Sequence, residues 1–271
     1  MSAADPTPAA PPPQHRSLAR RATRQGVARV ANKLGLSTRA EVRHQIYETF
    51  EQVTALLELQ QLLGQTGPWR PFRGWAISPD AARWLSALVV HNRPDLIVEC
   101  GAGTSSLVLA ATLAAYDIDA RLVTLEHDAV WAAHIRARLA GYDVATEVRH
   151  APLRQTPDAP GGWYDPEGWQ DLDGIELLVV DGPPQVREVE SRRPVVDRLG
   201  PRLSDAAVVA LDDADRPPEA ALVTAWLQAD PKMVRRDLPA EKGLCLLSRS
   251  ARSLAVELPD PGLGIDRISG C

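Results

Sequence analysis

The chain has 271 residues, long enough for one sizeable core, with 45% hydrophobic and 24% charged side chains and a formal net charge of −5. The charge is uneven: residues 1–43 carry eight basic against two acidic side chains, a net +6 that leaves −11 on the remainder. An acidic body suits a cationic ligand and argues against a nucleic-acid platform, whereas the basic arm suits an acidic partner or the anionic surface of a membrane.

In chain order, residues 1–15 are rich in Pro and Ala with almost no large apolar side chains, a composition that reads as disordered. Apolar and Arg positions then interleave at roughly helical spacing from Arg16 to Leu36. Residues 41–63 place Ile46, Phe50, Val53, Leu56 and Leu57 on one helical stripe, expected to pack on the domain or on a partner subunit, with a stop at Gly64. Ser78 followed by Pro79 has the form of an N-cap and first helical residue, opening a helix through about Asn92.

From there the pattern alternates. Strands are predicted at 96–99, 121–126 and 145–150, with helices at 104–116 and 128–140 between them. After a loop at 154–174 come a strand at 175–181, a helix around 187–199, a strand at 206–212 and a helix at 217–228. Segments 232–238 and 243–248 read as a closing β-hairpin. Short apolar runs alternating with helices imply an α/β fold: a mainly parallel sheet covered on both faces, to which the hairpin adds an antiparallel strand. Loop 154–174 is long for a compact domain, and Trp163, Tyr164 and Trp169 in its Gly/Pro-rich setting favour a lid. No apolar run approaches the length of a spanning helix. Cys100, Cys245 and Cys271 lack metal or redox spacing and no secretory signal is recognisable, which makes the reducing cytosol the expected location.

The first predicted strand ends in Glu99-Cys100-Gly101-Ala102-Gly103-Thr104-Ser105-Ser106 and runs directly into a helix. In open α/β sheets ligands bind beyond the carboxyl ends of the strands at such a turn, where glycines let backbone approach the ligand. The dinucleotide fingerprint needs a third glycine, and Ser106 stands in its place, which weakens a nicotinamide-dinucleotide reading. Glu126, closing the second strand, is placed to accept hydrogen bonds from ribose hydroxyls. Glu99 suits the ammonium and sulfonium charges of S-adenosylmethionine (SAM) and would repel a pyrophosphate.

These residues, with Leu125-Glu126-His127-Asp128, Ala151-Pro152-Leu153, Trp163-Tyr164-Asp165, Val180-Asp181-Gly182-Pro183-Pro184 and Leu211-Asp212-Asp213-Ala214-Asp215-Arg216, occur in the order seen in small bacterial class I methyltransferases. Over residues 75–250 the chain resembles the methyltransferase-24-type family. The resemblance implies a Rossmann-like, seven-stranded SAM-binding domain at 75–250, preceded by a basic arm at 1–40 and a helix with linker at 41–74, and followed by a tail at 251–271. It also implies a cofactor set of Glu99, Gly101, Ala102, Gly103, Ser105, Glu126, His127, His150, Ala151 and Asp181, with the methionine moiety along the glycine turn, the ribose on Glu126 and the adenine near His150 and Ala151.

Acceptor-side candidates are Asp181, Asp213 and Arg216, converging from the ends of the fourth and fifth predicted strands. Arg216 is placed either to pair with Asp213 or to grip an anionic acceptor. Asp181, Asp212 and Asp213 resemble the carboxylates of metal-dependent catechol and sugar O-methyltransferases, which implies a site for Mg²⁺. Gly182 and Gln185 break the Asp-Pro-Pro-aromatic motif of amino-group methyltransferases and make N-methylation the lesser alternative. The expectation is O-methylation of a small-molecule, sugar or lipid-linked glycan acceptor, with a non-catalytic SAM-fold scaffold as its rival.

Overall fold

The computed structural model describes residues 39–64, 72–184 and 191–258. The chain divides into two compact units, residues 1–50 and 51–271. The expectations for the Pro/Ala-rich segment and for the basic helix before residue 39 lie outside the described residues, as does Gln185. In the first unit the described residues form the start of helix α1 (Arg39–Leu63), and Val42, Ile46, Tyr47 and Phe50 are exposed there.

Within the second unit, α1 buries Gln52, Ala55, Leu59 and Leu63, while Val53 and Leu57 face solvent. Within this unit the stripe residues Val53 and Leu57 are therefore not on the face that packs on the domain, and Leu56 is half-buried. A neighbouring face holds the helix instead: Gln52 donates to Asp80 at 2.7 Å, and Glu58 pairs with Arg83. The helix stops before Gly64, whose φ of +59° is open to glycine. Helix α2 (Pro79–Asn92) begins after Ser78 with proline in its first turn, and the Ser78 hydroxyl donates to the Asp80 side chain rather than capping the helix.

Strands β1 (Leu96–Cys100), β2 (Arg121–Glu126) and β3 (Thr146–His150) alternate with helices α3 (Thr104–Ala115) and α4 (Ala129–Leu139). A hairpin of β4 (Leu153–Thr156) and β5 (Ala159–Tyr164) follows, then β6 (Ile175–Val180), a one-turn α5 (Val195–Arg198), β7 (Leu203–Asp212), α6 (Pro217–Ala229), β8 (Val234–Leu238) and β9 (Leu244–Ser248). The main sheet runs β3-β2-β1-β6-β7-β9-β8; its first five strands are parallel and β9 is antiparallel to both of its neighbours. This is the Rossmann-like sheet expected, with the closing hairpin inserted so that its second strand lies beside β7.

Alternate residues of the central strands feed two cores. Ile97, Leu122, Leu177, Val208 and Leu246 pack with α2, α3 and α4 on one face, and Val98, Val123, Leu178, Val209 and Leu247 pack with α5 and α6 on the other. Because β1 and β6 are covered on both faces, they read as continuous apolar runs. Helix α3 is buried from Thr104 to Leu113, which explains why its sequence has no polar face. Thr112 adds a hydrogen bond to Ser86 of α2 at 3.0 Å.

Two expectations are corrected. The segment 154–174 is no lid: it forms the β4–β5 hairpin and a 3₁₀ turn, and Trp163, Tyr164 and Trp169 are buried in the second core at 3%, 1% and 7% exposure. Burying three aromatic rings against the sheet outweighs any advantage of mobility. The helix expected around 187–199 shrinks, among the described residues, to Val195–Arg198, because Pro194 disfavours helical backbone at Arg193. No helix among the described residues is long and apolar enough to cross a membrane.

Candidate functional site

A cleft of about 870 Å³ opens over the carboxyl ends of β1, β2, β6 and β7. Its floor is the glycine turn. Gly101 has φ +95°, and a Cβ there would stand 3.1 Å from both N and Cα of Gly182. Gly182 is equally confined: its Cβ would lie 2.6 Å from the Tyr164 hydroxyl and 2.9 Å from Gly101 Cα. The two strand-end turns thus touch backbone to backbone, and Gly101 is required by its protein neighbour as much as by any ligand. The Gly182-Pro183 peptide is cis.

Glu126 is 4% exposed and braces this floor. One carboxylate oxygen accepts from the amide of Ala102 at 3.0 Å, and the other accepts from the amide of Asp128 at 2.8 Å, with His127 Nδ1 also 2.8 Å away. Each oxygen has a second lone pair, so these bonds leave room for ribose hydroxyls. Asp128 caps α4 by accepting from the amide of Trp131, and the Trp131 indole donates to the carbonyl of Ala102 at 2.7 Å.

Glu99 does not reach the cleft wall. It is fully buried behind the turn, where one oxygen accepts from Ser106 at 2.5 Å and from Thr124 on the adjacent strand at 2.8 Å; the other oxygen has no partner. Burial pushes its carboxyl up to about 7, against the pull of these hydroxyl donors.

The acidic end is held by a residue that sequence reading missed. Arg192, 6% exposed, donates to the backbone carbonyls of Asp181 and Asp212 at 2.5 and 3.1 Å and to the Asp213 carboxylate at 3.2 Å, and pairs with Glu219 at 3.3 Å. It ties the end of β6 to the end of β7. Arg216 pairs with Asp213 at 2.8 Å, the structural alternative of the two expected for it, and Lys242 lies 3.7 Å from the same carboxylate. Asp181, Asp212 and Asp213 offer carboxylate oxygens all within 4.8 Å of one another, and both oxygens of buried Asp212 lack partners. Burial raises the carboxyls of Asp181 and Asp212 above the usual range, with repulsion from Asp213 adding to both shifts.

Of the residues expected to meet a cofactor, Gly101, Ala102, Gly103, Glu126, His127 and Asp181 line the cleft, whereas Glu99 and Ser105 lie behind its wall. His150 faces a separate polar hollow with Arg149 and Asp171, and Ala151 is fully buried, so the structure does not bring this pair to the cleft. Asp213 and Arg216 line it, and Asp212 sits behind them. Arg192, Trp131 and the turn Gly74–Ile77 complete the wall. Trp131 could have been suspected from its place one turn into the helix after Glu126; nothing in the sequence marks Arg192.

Residues 98–214 match the model of a family described as a methyltransferase domain. Strand order and glycine turn agree with this match, which makes residues 98–214 a SAM-dependent methyltransferase domain. A methyltransferase from Podospora anserina, solved with S-adenosylhomocysteine (SAH), is similar in fold at a TM-score of 0.52 and 18% identity, covering 79% of this chain and 97% of the other. A methyltransferase from Geobacter sulfurreducens aligns at a TM-score of 0.48 and 18% identity over 82% of this chain and 98% of its own. No curated protein matches the chain in sequence.

Proposed function

We propose that the protein transfers the methyl group of SAM to a hydroxyl of a small-molecule or glycan acceptor. The observation that carries this reading is the juxtaposition, in one cleft, of the glycine turn with the carboxylates of Asp181 and Asp213. The methionine end of SAM lies along Gly101–Gly103, its ribose on Glu126 and its adenine toward His127 and Trp131. The acceptor then occupies the end bounded by Asp213 and Arg216.

In the transfer the acceptor oxygen attacks the methyl carbon as the carbon–sulfur bond breaks, its electron pair remaining on sulfur to give SAH. The hydroxyl proton passes to the carboxylate cluster, in which Asp181 on the cleft wall is the base. Burial holds Asp181 closer to neutrality than a free aspartate, the range in which a general base works best. Arg192 and Arg216 fix Asp213 and leave the cleft preorganised, and alignment of the reacting atoms supplies much of the acceleration.

The unpartnered oxygens of Asp212 and the spacing of its neighbours fit a hard divalent cation, which Asp181, Asp212 and Asp213 would hold. When bound, such an ion supplies Lewis acidity that lowers the pKa of a hydroxyl.

The test combines calorimetry with SAH and transfer of labelled methyl from SAM into small hydroxylated compounds, with EDTA and then added Mg²⁺. Binding followed by transfer to oxygen is expected. Tight binding with no transfer to any compound or cell extract would favour a scaffold, and transfer only to amines would favour N-methylation. Full turnover in EDTA removes the metal alone.

A further inference from the structure

Among the described residues of the second unit, the most exposed large apolar side chain is Trp75, at 88% exposure, and it stands on the cleft wall. An indole left in water buries nothing for the fold, yet its turn is heavily anchored. Arg73 and Gly74 both adopt left-handed backbone, with φ of +70° and +71°. That conformation is unfavourable for arginine and persists only where surrounding bonds impose it.

The bonds are present. The Arg73 guanidinium grips Glu241 through two nitrogens at 2.7–3.0 Å, and the Lys242 ammonium donates to the carbonyls of Gly74 and Ala76, each at 3.0 Å. The loop carrying Glu241 and Lys242 is itself fastened to the end of β7, where the amides of Ala214 and Asp215 donate to the carbonyls of Gly243 and Lys242 at 3.1 Å. The turn is thereby fixed to the Asp213 side of the cleft.

We infer that Trp75 is a specificity-determining residue that stacks on the acceptor, and that the acceptor hydroxyl is borne on a six-membered ring with an apolar face. This rests on the methyltransferase reading of the cleft. An indole offers a rigid plane with few rotatable bonds, suited to an aromatic ring or to the C–H face of a pyranose, and an acyclic acceptor would leave most of that plane wet. With the ring against Trp75, a hydroxyl on its edge is directed toward the carboxylates of Asp181 and Asp213. The anchoring of the turn means that stacking costs little further ordering.

The experiment uses the full chain with three probes: catechol, methyl α-glucopyranoside and, as an acyclic control, 1,2-propanediol. Binding of each in the presence of SAH is followed by NMR line broadening, and transfer from labelled SAM is followed where it occurs. One ring probe is expected to bind, and which one does so identifies a phenolic or a sugar acceptor. Trp75→Ala should raise its KM or Kd roughly tenfold, the effect of losing an aromatic contact and the area it covers, with kcat within about twofold. Trp75→Phe should restore most of the affinity. SAH affinity and melting temperature should not change in either variant.

Binding of neither ring, equal binding of propanediol, or unchanged ring affinity in Trp75→Ala overturns the inference while SAH binding keeps the methyltransferase reading intact. A fall in SAH affinity in Trp75→Ala assigns the indole to the cofactor and equally overturns it. Failure of the unaltered protein to bind SAH brings down the reading beneath it.

Discussion

Gly101 and Gly182 meet across the floor of the cleft so closely that a Cβ on Gly182 would lie 2.9 Å from Gly101 Cα. Neither turn can take a side chain without moving the other. Gly182→Ala should destabilise the domain by about 1–3 kcal/mol, the usual range for overpacking. Tyr164→Phe in the same background should recover part of the loss by removing the hydroxyl 2.6 Å from the new methyl group. Urea unfolding of the two variants checks this; equal stability of Gly182→Ala and the unaltered protein would falsify the contact.

Glu99 yields a pH prediction. Its folded carboxyl titrates near 7 instead of 4.5, so between these values the folded state holds a proton that the unfolded chain has released. Its contribution is therefore complete below about pH 4.5 and lost as pH rises through 7. Glu99→Gln, which mimics the protonated form, should be more stable than the unaltered protein at pH 8 by up to about 3 kcal/mol and nearly equal to it at pH 4.5. Unfolding free energies at the two pH values decide the matter, and a variant less stable at both would reject the buried, proton-holding role.

Glu126→Ala should weaken SAH binding tenfold or more by calorimetry, since it leaves ribose hydroxyls and the Ala102 and Asp128 amides without their acceptor, each at about 1–3 kcal/mol. Because those amides are already bound in the free protein, its melting temperature should fall as well. Undiminished affinity would move the ribose elsewhere.

Arg192→Met should cost about 3–5 kcal/mol, as expected when a buried ion-pair cluster loses its central cation. The deficit should shrink on acidification from pH 8 to 5, because protonation of Asp181 and Asp212, both already shifted upward, relieves the unmatched charge. A deficit that does not vary with pH would mean that Arg192 acts through packing and not through charge.

The sheet and its helices were legible because apolar runs on β1 and β6 and the Ser78-Pro79 start are local signals. The hairpin at 153–164 was not: a Gly/Pro-rich segment suggests exposure until its three aromatics are seen packed against the sheet, and that packing is a long-range fact. For α1, apolar spacing located the helix but could not choose between two faces, and the one that packs includes a glutamine that becomes useful only beside Asp80. At the site, the glycine turn, Glu126 and the three aspartates stood at strand ends where the α/β pattern puts ligands. Arg192 lies beyond any such marker and acquires its meaning only from four acidic groups brought around it by β6, β7 and α6. Trp75 was passed over for the opposite reason, since a tryptophan in a turn gains significance only from the anchors beneath it.

Lys242 makes the rim of the cleft and its acidic end a single thermodynamic system. One ammonium group holds the carbonyls of Gly74 and Ala76 and sits 3.7 Å from the Asp213 carboxylate. Whatever binds at Asp213 and draws on that charge shifts the hold on the turn, and by linkage whatever settles the turn changes affinity at Asp213 by the same factor. The turn and the Asp213 carboxylate, on the same side of the cleft, thus draw on one ammonium group.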